Sequence, residues 1–183
     1  MKRTTKVVAL ALLYGMALPP AMAEGFYGAV DLAQTNEGDA CNSGFVGSCN
    51  GTSTALRVGG GYQFVPMWSA EVSYADYGNA NTGGPAGEWQ ATGLEASGIG
   101  TFPVWKDISV IGKVGLARTD LKLTNTSRSS TTTNLAFGVG VQYEFSKAIA
   151  FRAQYENLGT VGDANTTGTT QLTLLSAGIL FRF

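Results

Sequence analysis

The stretch at 170–183, TQLTLLSAGILFRF, decides the fold. Read by twos from its end, one face carries Phe183, Phe181, Ile179, Ala177, Leu175 and Thr173, and the other carries Arg182, Leu180, Gly178, Ser176, Leu174 and Leu172. Side chains alternate across a strand, so this is an apolar face opposite a mixed face that holds an arginine. Left as an edge in water, such a strand is a pairing hazard. In a lipid-facing barrel it is the closing strand, which pairs with the first and abolishes the edge. The competing assignment for this segment alone is a buried strand of a soluble sandwich.

The opposite end favours the barrel. Residues 1–6 carry Lys2, Arg3 and Lys6; 7–18 form an apolar run interrupted by Tyr14 and Gly15; Pro19 and Pro20 lead into Ala21-Met22-Ala23. That is the pattern of a secretory signal peptide, so 1–23 is expected to be cleaved and 24–183 to form one domain. The apolar run is too short for a transmembrane helix. Once the leader's three basic residues are set aside, nine basic residues face thirteen acidic ones, a net charge of −4. Nothing basic enough for nucleic acid remains. The 25 glycines suit a twisted sheet with tight bends better than long helices.

Working inward from both ends, alternation divides the mature chain into eight segments: 26–34, 55–64, 68–77, 88–102, 108–123, 133–145, 148–158 and 170–183. The sixth is cleanest, with Leu135, Phe137, Val139, Val141, Tyr143 and Phe145 opposing Asn134, Ala136, Gly138, Gly140, Gln142 and Glu144. In the fourth, Glu95 and Ser97 point in, but the phase near Trp89 and Ile99 fits neither end, so a bulge or an extension beyond the membrane is expected. Residues 78–87, 124–133 and 159–169 are polar or glycine-rich and are expected as loops. Long connections follow odd segments and short ones follow even segments, with aromatic residues near both ends. The fold class expected is therefore all-β: an eight-stranded antiparallel up-and-down transmembrane β-barrel, with its long loops outside the cell.

Cys41 and Cys49 share the first long connection, and a paired count in an exported chain suggests a disulfide. Two free thiols or a metal site are the alternatives, and with no histidine in the chain two cysteines do not complete a zinc set. The same lack of histidine removes the usual base for activating a nucleophile. Asp76, Glu88 and Asp120 lie near loops, where carboxylates are usually just solvated. No enzyme and no cofactor is expected.

Four stretches, GGGYQFVPMWSAEVSYADYG (59–78), ISVIGKVGLARTDLK (108–122), FGVGVQYEFSKAIAFRAQYENLG (137–159) and AGILFRF (177–183), resemble the outer-membrane protein A (OmpA-like) transmembrane barrel family. The resemblance covers the barrel only, so tethering to the cell wall is not carried over. It implies a lumen filled by charged side chains, with Glu71, Lys113 and Arg152 at positions like those of family lumen residues. The chain departs from that pattern at Gln142 and at Ser97-Gly98. Phe183, with Phe181 and Ile179, resembles the assembly signal of bacterial outer-membrane proteins. The partners implied are outer-membrane lipid including lipopolysaccharide, the barrel-assembly machinery, and host or other surface ligands met through the loops.

Two functions remain: a structural or surface-interaction barrel, and a narrow porin-like channel for small solutes. Inward charges in an eight-stranded bore are expected to neutralise one another, because unpaired buried charge is costly. Alternation predicts an interior Glu71–Arg152 ion pair with Lys113 and Glu95 close by. Loss of Arg152 is then expected to weaken the barrel and open its lumen.

Overall fold

The computed structural model describes residues 25–36, 52–81, 88–123, 129–163 and 168–183. The leader at 1–23 and the Cys41–Cys49 pair lie outside the described residues. Eight strands are present: β1 Gly25–Asn36, β2 Thr52–Val65, β3 Trp68–Asn81, β4 Glu88–Trp105, β5 Ile108–Leu123, β6 Ser129–Glu144, β7 Ile149–Asp163 and β8 Gly168–Arg182. Each pairs antiparallel with its sequence neighbour, and β8 pairs with β1, so the sheet is a closed barrel. Closure runs through the C-terminal stretch 170–183. Gly28 lies opposite Phe181 and Leu32 opposite Ala177, and the Phe183 amide donates to the Phe26 carbonyl at 3.1 Å.

The barrel has two unlike ends. At the turn end, residues 66–67, 106–107 and 145–148 join β2 to β3, β4 to β5 and β6 to β7. At the loop end, β1 and β2, β3 and β4, β5 and β6, and β7 and β8 are joined. The strands run further toward the loop end than alternation implied. Residues 79–81 pair with 88–90, Lys122 pairs with Ser129, and Asp163 pairs with Gly168. Most of these residues are polar or glycine, and backbone pairing continues through them after the regular apolar alternation ends.

Two of the extended hairpins pass through matched bulges. Register shifts between Asp76 and Asn79 and between Asn157 and Thr160. Gly78 (φ 76°) and Gly159 (φ 78°) take left-handed backbone there, which a Cβ disfavours. The Asp76 carboxylate accepts from the Gly78 amide at 3.0 Å, and the Asn157 side-chain oxygen accepts from the Gly159 amide at 2.8 Å. The bulge also reverses the phase of β7, so Leu158 and Val161 both point inward.

In β4 the phase is unbroken from Ala91 through Gly93, Glu95 and Ser97 to Ile99, all inward. Near Trp89 the expected irregularity is the register shift against β3, where Thr92 faces Asp76 but Gln90 faces Asn79, and a second shift lies between Pro103 and Trp105 at the strand's other end. Ile99 breaks the sequence pattern because it is an apolar residue of the lumen, as is Ile111 on β5. On every strand the opposite face is exposed and apolar; Val139 is 64% and Leu135 59% exposed. In water such a surface would drive aggregation, whereas in hydrocarbon it is the solvated face.

The lumen as candidate functional site

Three layers of side chains fill the described lumen. The middle layer is ionic and holds Asp31, Arg57, Glu71, Glu95, Lys113, Arg152 and Glu156, drawn from β1, β2, β3, β4, β5 and β7. All are at least 95% buried. Arg152 donates from Nη1 to Glu71 Oε2 at 2.7 Å and from Nη2 to Glu71 Oε1 at 3.1 Å. It also reaches Asp31, through Nε at 3.1 Å and Nη2 at 3.0 Å. Arg57 donates from Nε to Asp31 at 3.0 Å, from Nη1 to Glu156 at 2.6 Å and from Nη2 to Ser176 Oγ at 3.2 Å. Lys113 Nζ sits 3.1 Å from Glu95, 3.3 Å from Glu156 and 3.9 Å from Glu71. With its amide turned to suit both neighbours, Gln154 donates to Glu156 at 2.9 Å and accepts from Arg152 Nε at 3.1 Å. The charges thus form one connected network. Planar guanidinium forks suit this site because each can serve two carboxylates at once.

The four residues singled out from the sequence, Glu71, Arg152, Lys113 and Glu95, are brought together here. Asp31, Arg57 and Glu156 join them and were not part of that set. Asp31 sits between both arginines, and its place depends on β8 being opposite β1, where Gly178 is its partner. A Cβ at Gly178 would collide with the Asp31 carboxylate and with the Val30 carbonyl. Gly138, opposite Glu156, is constrained in the same way: a Cβ there would come within 2.8 Å of the Glu156 Cγ. These inward glycines are the floor on which the long charged side chains lie.

An apolar layer lies on the loop side of the ionic one. It comprises Ala33, Ala55, Ala75, Tyr77, Ala91, Ala117, Ala136, Leu158, Val161, Leu172 and Leu174. All eight strands contribute, and each of these residues lies nearer the loop end than its strand's inward charged residues, than Gln142 on β6 and than Ser176 on β8. Toward the turn end are Tyr27, Ala150 and Leu180, then a half-exposed group at the mouth. There Arg182 Nη2 donates to Glu144 at 2.8 Å and Gln142 donates to the same carboxylate at 2.6 Å. Gln142 therefore serves a local pair, although the family pattern places a charge at its position. Ser97, the other departure, points inward, and its buried Oγ has no hydrogen-bond partner. Gly98 faces outward, so it takes no part in the lumen.

Among the described residues no group of His, Cys, Asp and Glu has the arrangement of a metal site. The arrangement can hold paired charge of both signs in one buried layer.

Comparison with known proteins bears on this architecture. Residues 21–183 match the family model described as the OmpA-like transmembrane domain. Outer membrane protein A of Salmonella typhi is 31% identical over 137 residues, which is 68% of this chain and 38% of that protein. Its counterpart in Escherichia fergusonii is 29% identical over 157 residues, 78% of this chain and 44% of that protein. The chain thus spans roughly two fifths of the length of these curated relatives. Among solved structures, Neisserial surface protein A superposes with a TM-score of 0.60 at 22% identity, covering 87% of this chain and 97% of that one. Ail of Yersinia pestis, solved with the heparin analogue sucrose octasulfate, gives 0.56 at 16% identity, again over 87% and 97% of the two chains. At these identities the structural likeness speaks for the fold alone.

Proposed function

The chain belongs to the OmpA-like transmembrane domain family of the bacterial outer membrane, and from that premise we propose that it is a small barrel with a structural or surface-interaction role and a lumen closed by its own side chains. The observation that carries this reading is the stacking of a connected ionic layer and an eight-strand apolar layer across one bore. An ion crossing it would have to displace paired charges and then enter a dry constriction. The test is planar-bilayer recording of the refolded protein. Small, rare openings are expected; a large, steady current from the wild type would mean a narrow porin-like channel instead.

In this reading 1–23 is an export leader, both barrel termini are periplasmic, and the loop end faces outward. The polar loops would then be the interaction surface, beside lipopolysaccharide in the outer leaflet. A tag placed within 37–51 should be labelled on intact cells; labelling only after rupture of the outer membrane would invert the orientation.

Phe183, with Phe181 and Ile179, serves as the signal read by the barrel-assembly machinery. Support comes from position: these residues lie on the lipid side of the strand that closes on β1. Phe183→Asp should reach the periplasm yet give little of the heat-modifiable folded form on gels. Wild-type folded yield would remove this role.

A further inference from the structure

The ionic layer is not balanced. Among the described residues, the buried set contains four carboxylates, Asp31, Glu71, Glu95 and Glu156, against three cations, Arg57, Lys113 and Arg152. The Arg182–Glu144 pair at the mouth balances itself and leaves this count unchanged. A lone extra negative charge in a narrow bore is not sustained without a compensating positive charge.

The geometry identifies the carboxylate left over. Asp31 is held by two guanidinium groups, Glu71 by both arms of Arg152, and Glu156 by Arg57 at 2.6 Å together with Lys113. Glu95 has the weakest set. Arg57 Nη1 is 4.0 Å away, and the 3.1 Å approach of Lys113 to Oε1 leaves that atom without a hydrogen bond. Glu95 also shares Lys113 with Glu156, so two carboxylates compete for one ammonium. Ser97, two residues on along the same inward face, holds the other buried side-chain oxygen without a partner.

We propose that the lumen binds one proton at Glu95, so that this side chain is a neutral carboxylic acid and the seven-member network carries no net charge. In the step, a solvent hydronium gives up one proton and leaves as water, and one O–H bond forms on the Glu95 carboxylate as the barrel closes, with no change of oxidation state. A proton fits better than a metal cation because the Lys113 ammonium already lies beside the same oxygen. The neutral acid gains an O–H donor and no longer competes with Glu156 for the Lys113 ammonium. This inference rests on the closed-lumen reading above, since a water-filled bore would screen the excess charge and remove the need for the proton.

Infrared spectroscopy of the refolded barrel in lipid at neutral pH tests it. The wild type should show a carbonyl stretch of one buried carboxylic acid, and Glu95→Gln should abolish it while still folding by heat-modifiable mobility, because an amide mimics the neutral acid. Glu156→Gln should abolish it too, by restoring three against three. Lys113→Gln should double it. A wild type with no acid band and a silent bilayer would overturn the proton assignment alone, as would a band unchanged in Glu95→Gln. A wild type with no acid band and a steady current would overturn the closed-lumen reading on which the assignment depends.

Discussion

Refolded Arg152→Ala should unfold in urea with a loss of about 3–5 kcal/mol relative to the wild type, the cost typical of stripping one partner from a buried pair. Arg152 makes four hydrogen bonds to two carboxylates, and it is 96% buried. Its removal leaves Asp31 with Arg57 but leaves Glu71 with only Lys113 at 3.9 Å. Arg152→Lys should recover little, because an ammonium cannot fork to both partners. Adding Glu71→Gln to Arg152→Ala should recover part of the loss by removing the stranded charge, a coupling that a double-mutant cycle reads directly. The control is Arg182→Ala at the half-exposed mouth, where an ion pair is worth about 0–1 kcal/mol. Equal losses for Arg152→Ala and Arg182→Ala would mean that the ionic layer is as wet as the mouth.

How much of this was legible in the sequence follows from what alternation encodes. It states which face a residue takes, and so placed Glu71, Glu95, Lys113 and Arg152 inside. It does not state height, because the strands are tilted and sheared, and height decides which inward residues meet. Asp31 shows the difference. On its own strand it is one carboxylate among Tyr27, Ala29 and Ala33; the β1–β2 register sets it opposite Arg57, and only closure of β8 on β1 brings Arg152 to its other side. Glu156 and Arg57 were likewise on the inward face, with nothing local to say that they are 2.6 Å apart across the bore.

Strand ends were hidden for another reason. Alternation marks the lipid-spanning part, while the hairpins continue beyond it through polar residues. The signal for continuation was present in the paired strings Asp76-Tyr77-Gly78 and Asn157-Leu158-Gly159. Each combines a side-chain acceptor with a glycine two residues on, the chemistry of a bulge that prolongs a hairpin.

The apolar layer changes what loss of the ion pair should do to conduction. Sequence alone suggested that removing Arg152 opens the lumen. The structure sets Tyr77, Leu158, Val161, Leu172 and Leu174 in series with the charges, on their loop side. For barriers in series the current is set by whichever remains, and a narrow apolar constriction resists ions by staying dry. Arg152→Ala combined with Glu71→Ala removes the central pair without leaving either charge stranded, and it should still give only rare openings in a planar bilayer. Leu172→Ser with Leu174→Ser wets the apolar layer from β8, where both leucines are 99% buried, and leaves the ionic barrier in place, so it should also remain nearly silent. All four substitutions together should give a sustained current that neither pair produces, provided that heat-modifiable mobility shows a folded barrel. A steady current from the Arg152→Ala, Glu71→Ala barrel would mean that the ions alone close the bore, and a silent fourfold variant that folds would place the barrier in neither layer.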